Sequence, residues 1–437
     1  MAIIKSSLFS WQDVERSSDL TRFKKLLLSI KDRKLIDALY EDRKGRRNDY
    51  PIEAMWNSIL AGIIFAHPTT ASLIRELKRN AELRQVCGFN PLLCEDAVPS
   101  KDAYYRFFTK LIKYQNIIDE ILHSNIEKLK KLLPDFGKDL AMDGKAIISY
   151  RKDDKDADLG FKKESVPDNE LKSGEHTISW LGYKLHMICD SKYELPVSFK
   201  VTKASKHESP YLKTMLREIS ERHTGLLKRT KTFSADRGFD DGEDKQYIYE
   251  KYGISPIIPA RNLSKKMEMI PIDETKSDTI YYSGTGQVFC KIQPFKLGEE
   301  YSPMQCHGYE KDRGTLKFRC PAAAYGKKCE NQGCCRSMIK DKGFGRIVRI
   351  PINKDPRLFL PIYSHSKKFK REYNKRTSTE RVFSRIDNMF GFEEHRIFGL
   401  KRTQLKVALT MIAMTSTAIG YIKSGEEEKI RRYFQVA

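Results

Sequence analysis

Acid is scarce relative to base in this chain: 58 Asp and Glu stand against 80 Lys and Arg over 437 residues, a formal net charge of +22. A surplus of that size favours polyanionic partners, nucleic acid first, because each bound phosphate releases counterions. Basicity alone fits a ribosomal or membrane-surface protein as well. Long apolar runs are also missing. The start, Met1-Ala2-Ile3-Ile4-Lys5, meets charge before it can build the apolar core of a leader, so cytoplasmic placement is expected. The most apolar late stretch, 407–422, is interrupted by Thr410, Thr415, Ser416 and Thr417 and is short for a bilayer. A buried helix and no membrane are the expectation there. No internal repeat and no sustained heptad run is present, which excludes a solenoid and a coiled-coil route to oligomers. General disorder is excluded too, since 40% of the residues are hydrophobic and the length suffices for two or three domains.

The first third carries helical periodicity over 51–65, 70–87 and 101–133, the last after the start signal Pro99-Ser100. An all-α N-terminal domain over 1–135 is expected. Within it Tyr104, Tyr105, Phe107 and Phe108 interleave with Arg106 and Lys110, a pattern that serves DNA contact or the inside of a helical bundle. Arg43, Lys44, Arg46 and Arg47 form a basic run suited to backbone phosphates or simply to a solvated loop. From 139 onward the pattern changes to strands, at 140–149, 181–189, 195–202 and 231–235, with a helix at 211–222. The fold class is therefore mixed α/β. The stretch 151–176 is dense in charge and poor in large apolar residues, so a mobile loop is expected.

Six of the nine cysteines fall in a segment of about 262–351, expected to be a β-rich, Cys-containing insertion. Cys306, Cys320, Cys329 and Cys334 (or Cys335) supply enough thiolates for a tetrahedral structural zinc, with His307 spare. The other reading is a set of reduced cytoplasmic thiols, some packed as small hydrophobes.

Three acids stand in distinct motifs. Asp143 follows Leu140-Ala141-Met142, Asp236 follows Phe233-Ser234-Ala235 and precedes Arg237-Gly238, and Glu380 follows Tyr373 and Arg376. Single acids are ordinarily exposed charges. Carboxylates at the ends of apolar strands and on a helix face, however, suit two magnesium (or manganese) ions, which keep several waters and favour a few carboxylates plus substrate phosphate. Asp240 and Asp241 compete with Asp236, but only Asp236 directly ends the apolar run. Tyr373, Arg376 and Glu380 at i, i+3 and i+7 are expected on one helical face, although Lys367, Lys368, Lys370, Arg371 and Glu372 also fit a solvated helix. Trp180 is a candidate for stacking on a flipped base or for the core.

These motifs, joined by Gly182-Tyr183-Lys184-Leu185-His186 and Ala204-Ser205-Lys206-His207-Glu208-Ser209, resemble those of bacterial insertion-sequence transposases of the DDE type, in the branch with a Tyr-x2-Arg-x3-Glu signature. The resemblance runs from about 50 to 420. It implies a ribonuclease H-like catalytic core over 136–261 and 352–425, with a fifth strand at 254–259, split by the 262–351 insertion and followed by a tail at 426–437. It implies an N-terminal region that recognises element ends, and a homodimer on double-stranded DNA that binds terminal inverted repeats, cuts them and joins their 3'-hydroxyls to target DNA near the nucleoid. Asp143, Asp236 and Glu380 would be the catalytic metal ligands; Tyr373, Arg376, Lys184, His207 and Arg237 would contact phosphate or DNA. One departure stands out: the family carries lysine seven positions after the glutamate, where this chain has Asp387, leaving Arg381 or Arg385 as replacements.

Overall fold

The computed structural model describes residues 18–43, 50–165, 175–261, 269–272, 280–291, 301–324 and 345–431. Lys44, Arg46, Arg47, Cys329, Cys334 and Cys335 lie outside the described residues, as does part of the expected loop. The chain forms two compact units. One comprises Met1–Phe136, Gly144–Lys206 and Thr379–Ala437, the other Gly137–Asp143 and His207–Ser378.

The first unit begins with helices α1 (Ser18–Leu27), α2 (Arg33–Glu41), α3 (Ile52–Ile64), α4 (Thr70–Arg79), α5 (Ala81–Cys87), α6 (Lys101–Lys113) and α7 (Gln115–Leu132). Two of the expected helices are each divided. Asn80 leaves helical geometry, and its side chain accepts from Leu83 N, so it ends α4 and caps α5. Tyr114 interrupts the third run between α6 and α7. The aromatic cluster divides as well: Tyr104 and Phe107 are buried, whereas Tyr105 is 59% exposed.

Strand β1 (Asp139–Ile148) belongs to both units. In the first unit β2 (Asp158–Ser165), β3 (Glu175–Asp190) and β4 (Leu195–Lys203) are antiparallel, the first half of β3 pairing with β2 and the second with β4. The expectation of a mobile loop is corrected over its described part. Backbone pairing orders Asp158–Ser165 without a large apolar content, and Asp154 accepts hydrogen bonds from Ser149 Oγ (2.6 Å), Tyr183 and Gly399 N (3.0 Å). Trp180 is a packing residue: it is 8% exposed, donates to Tyr183 O, and lies so close to Gly160 that any Cβ there would fall 2.6 Å from its ring.

The second unit starts from the first residues of β1 and continues with α8 (Ser209–Arg222), β5 (Thr232–Ser234), α9 (Gly242–Tyr252) and β6 (Ser255–Ile257). β1 pairs in parallel with β5, and β5 with β6. The insertion is β-rich. Strands β7 (Met269–Pro271), β8 (Ile280–Ser283), β9 (Val288–Lys291) and β10 (Tyr301–Pro303) form one antiparallel sheet; β11 (Gln305–Glu310), β12 (Thr315–Arg319) and β13 (Ile347–Pro351) form another. Ile280, Val288, Leu316, Phe318 and Ile350 share one buried core. Helix α10 (Lys367–Tyr373) and a 3₁₀ turn, Asn374–Arg376, close this unit.

Helices α11 (Thr377–Met389) and α12 (Leu400–Lys423) follow. The most apolar window of α12 is 89% buried, packed on α1, α3, α7 and β4. Two of its hydroxyls are used internally: Asn125 Nδ2 donates to Thr415 Oγ1 (3.0 Å) and Ser416 Oγ (2.8 Å), which offsets the cost of burying these polar groups.

Candidate active site

Strand register relates two of the three motif acids. β1 and β5 run parallel with Leu140 opposite Phe233 and Ala141 opposite Ser234. Asp143 and Asp236 each come two residues later. Both therefore follow the last paired rung by the same number of residues, Asp143 further along β1 and Asp236 at the start of the turn that follows β5. The strands leading there are anchored by fully buried Leu140, Ala141, Met142 and Phe233.

The two carboxylates have different partners. Asp143 meets Arg376 at 3.0 Å, and the Arg376 guanidinium lies over the Tyr373 ring at 5.7 Å. One residue before, Lys375 meets Asp139 at 2.8 Å, so the 3₁₀ turn lays two successive cations along the acids of β1. Asp236 is half-buried; its Oδ1 accepts from Gly238 N at 2.7 Å, which caps the turn that begins at Arg237. The competing acids are consumed elsewhere. Asp240 is fully buried between Lys245 (2.6 Å) and Arg357 (2.9 Å), and Asp241 caps α9 by accepting from Asp244 N.

Of the three residues expected on one helical face, Tyr373 ends α10, Arg376 lies in the 3₁₀ turn with its guanidinium beside the Tyr373 ring, and Glu380 is in the first turn of α11. Glu380 is exposed. Among the described residues no three His, Cys, Asp or Glu side chains form a ready metal cluster.

Of the two arginines offered for the missing lysine, Arg385 is buried on Glu194 at 2.7 Å with 8% side-chain exposure, whereas Arg381 also meets Glu194 but is 53% exposed. Sequence reasoning missed Lys145. Its ammonium sits 2.6 Å from Asp387, the residue at that departing position. Burial raises the Asp387 carboxyl above its ordinary range while Lys145 pulls it down. Lys145 lies two residues beyond Asp143 on β1, hence on the same strand face, and that spacing was the available signal.

The supporting residues are dispersed. Lys184 donates to Lys206 O (3.2 Å) and stands 6.0 Å from the Trp180 ring centre, while its face-mate His186 is fully buried against Thr202. His207 and Arg237 are exposed. Of the zinc candidates, Cys306 and Cys320 are free cysteines. Burial pushes the Cys306 thiol up, toward the protonated form, against a smaller opposing hydrogen bond from Gly308 N.

The donor chemistry fits a hard divalent cation, because one carboxylate stands within β1 and another just past the strand paired with it, and Asp143 already has a cationic side chain, Arg376, against it. Residues 153–416 match the family described as Transposase DDE domain, and residues 11–110 match one described as Transposase domain (DUF772). The first match spans more than half the chain, and the protein belongs to the DDE transposase family. That match contains Asp236 and Glu380 and begins after Asp143. No curated protein matches the chain. Among solved structures, the cryo-EM structure of a piggyBac transposase synaptic complex with hairpin DNA is similar at 11% identity, covering 95% of this chain and 78% of that one, with a TM-score of 0.40. A likeness at that level has no bearing on the site.

Proposed function

We propose that this transposase hydrolyses phosphodiester bonds at the ends of a mobile element and joins the freed 3'-hydroxyls to target DNA, with Asp143, Asp236 and Glu380 as catalytic carboxylates. The β1–β5 register, whose last rung pairs Ala141 with Ser234 two residues before each acid, is the observation that supports this most directly. Glu380 joins them through its place in the Tyr373-Arg376-Glu380 motif. These oxygens would hold two magnesium or manganese ions, which when bound activate the attacking oxygen and neutralise the leaving one.

The chain's own side chains supply the rest. Arg376, braced on Tyr373 and beside Asp143, would offer a planar fork for a phosphate. Lys145, oriented by Asp387, carries the positive charge that the motif lacks at that position. Arg237 and His207 are the further DNA contacts. The strand order, with β4 beside β3 and then β1, β5 and β6, supports reading 136–261 and 352–425 as a ribonuclease H-like core interrupted by the insertion at 262–351. The helical region 1–135 would grip inverted repeats, two copies pairing two ends in the bacterial nucleoid. A structural zinc on Cys306, Cys320, Cys329 and Cys334 belongs to the same proposal, and metal analysis below one zinc per chain rejects it.

The test uses duplex DNA carrying the inverted repeats that flank the coding region. Magnesium-dependent nicking is expected from the wild type and none from Asp143→Ala, Asp236→Ala or Glu380→Ala, each still binding the ends. Retained nicking in one variant removes that residue from the assignment. A pre-cut end that is never joined to a target plasmid reduces the enzyme to a nuclease.

A further inference from the structure

The first unit contains a cavity of about 530 Å³ that the catalytic acids do not use, bordered by α3, α6, α12 and the first turn of α4. Its lining includes the cations Lys101, Arg396, Arg402 and Lys406 and the aromatic rings of Tyr105 and Phe398, and no Asp or Glu. Arg402 is held in place by three contacts: its guanidinium lies 5.2 Å from the Tyr105 ring centre and 5.0 Å from that of Phe398, and it donates to Tyr105 Oη at 3.2 Å. Lys406 stands one helical turn further along α12, where burial alone pulls its ammonium down to about 8. His67, also on the wall, has a buried Nε2 without a hydrogen-bond partner among the described residues. Uncompensated charge and unpaired polar atoms in a concave apolar wall cost stability that only an occupant returns.

An anion alone would satisfy the cations and waste the rings. An apolar molecule would do the reverse. A nucleotide uses both, because its base stacks on aromatic and guanidinium planes while its phosphate meets Arg and Lys.

We propose that this cavity receives one unstacked nucleotide of DNA, its base against Tyr105, Phe398 and Arg402 and its phosphate on Arg396 and Lys406. The proposal rests on the DNA reading above and adds a site away from the carboxylates, where a base drawn out of a distorted end is held.

Full-length protein, a short oligothymidylate carrying one 5-iododeoxyuridine, free thymidine monophosphate and inorganic phosphate test it. Ultraviolet cross-links are expected to map to 101–112 or 396–409 and to be competed by the mononucleotide far better than by phosphate. Arg402→Gln is expected to weaken oligonucleotide binding about tenfold or more. Lys406→Met removes a half-buried, desolvated charge, so it should melt no lower than the wild type yet lose the rise in melting temperature that the mononucleotide gives. Cross-links confined to other segments, equal competition by phosphate, or full binding by Lys406→Met would each overturn the proposal. Asp236→Ala should cross-link like the wild type. Mapping that succeeds with a protein that never cuts DNA therefore counts against the catalytic reading alone.

Discussion

Asp236 and Asp240 are the same side chain four residues apart, and the fold treats them oppositely. Asp240 is sealed from solvent with both oxygens engaged, on Lys245 and on Arg357, and the backbone N–H of Arg261 adds a third donor at 2.7 Å. Asp236 follows the apolar strand, half-buried, and one of its oxygens accepts a single backbone hydrogen bond, from Gly238 N. A buried carboxylate with every oxygen committed holds structure together, whereas one at a strand end with acceptor capacity to spare can take a ligand.

The largest expected effect sharpens that contrast. Asp236→Ala should lower magnesium-dependent nicking at least about a thousand-fold, roughly 4 kcal/mol of lost transition-state stabilisation, with an unchanged thermal melt. Asp240→Ala should instead cost about 3–5 kcal/mol in chemical denaturation, because it strands the Lys245 charge in the interior. Equal melting temperatures for the two variants would break the comparison.

Asp154 extends the contrast to the other unit. Desolvation raises its carboxyl, but hydrogen bonds from Ser149, Tyr183 and Gly399 N outweigh that and bring it to about 2, below the ordinary 3.8. Because the folded value is the lower, its contribution is complete above about pH 4 and fades as pH falls toward 2. Asp154→Asn should cost about 1–3 kcal/mol at neutral pH and flatten the acid limb of the stability profile. An unchanged limb would show that other carboxylates govern it.

The smallest effect is expected at Lys145. Lys145→Met leaves Asp387 half-buried without its ammonium and should cost about 1 kcal/mol, while weakening DNA cutting more than that loss of stability accounts for. Cutting that merely follows the melting curve would assign the pair to structure alone.

Much of this architecture was legible in local pattern. The alternating runs at 140–149 and 195–202 appear as β1 and β4 within a residue or two, and α8 is the expected helix extended to Ser209. Asn80 carried a visible signal for the split between α4 and α5, since asparagine is a natural cap. What escaped depends on partners distant in sequence. Arg357 lies 117 residues from Asp240 and Asp387 lies 242 from Lys145, so no window of composition could separate Asp240 from Asp236 or find the lysine. β2 escaped because a backbone ladder, rather than apolar content, orders it. The parallel register of β1 with β5 is likewise absent from either strand alone, although both acids were identified from their motifs.

The burial of α12 against α1, α3 and α7 has a consequence for biosynthesis. A ribosome delivering roughly 5–20 residues each second completes the opening helices long before it reaches Leu400, so their apolar faces wait many seconds for the segment that covers them. A chain released before Leu400, at a premature stop or a frameshift, would lack that cover and be open to proteolysis.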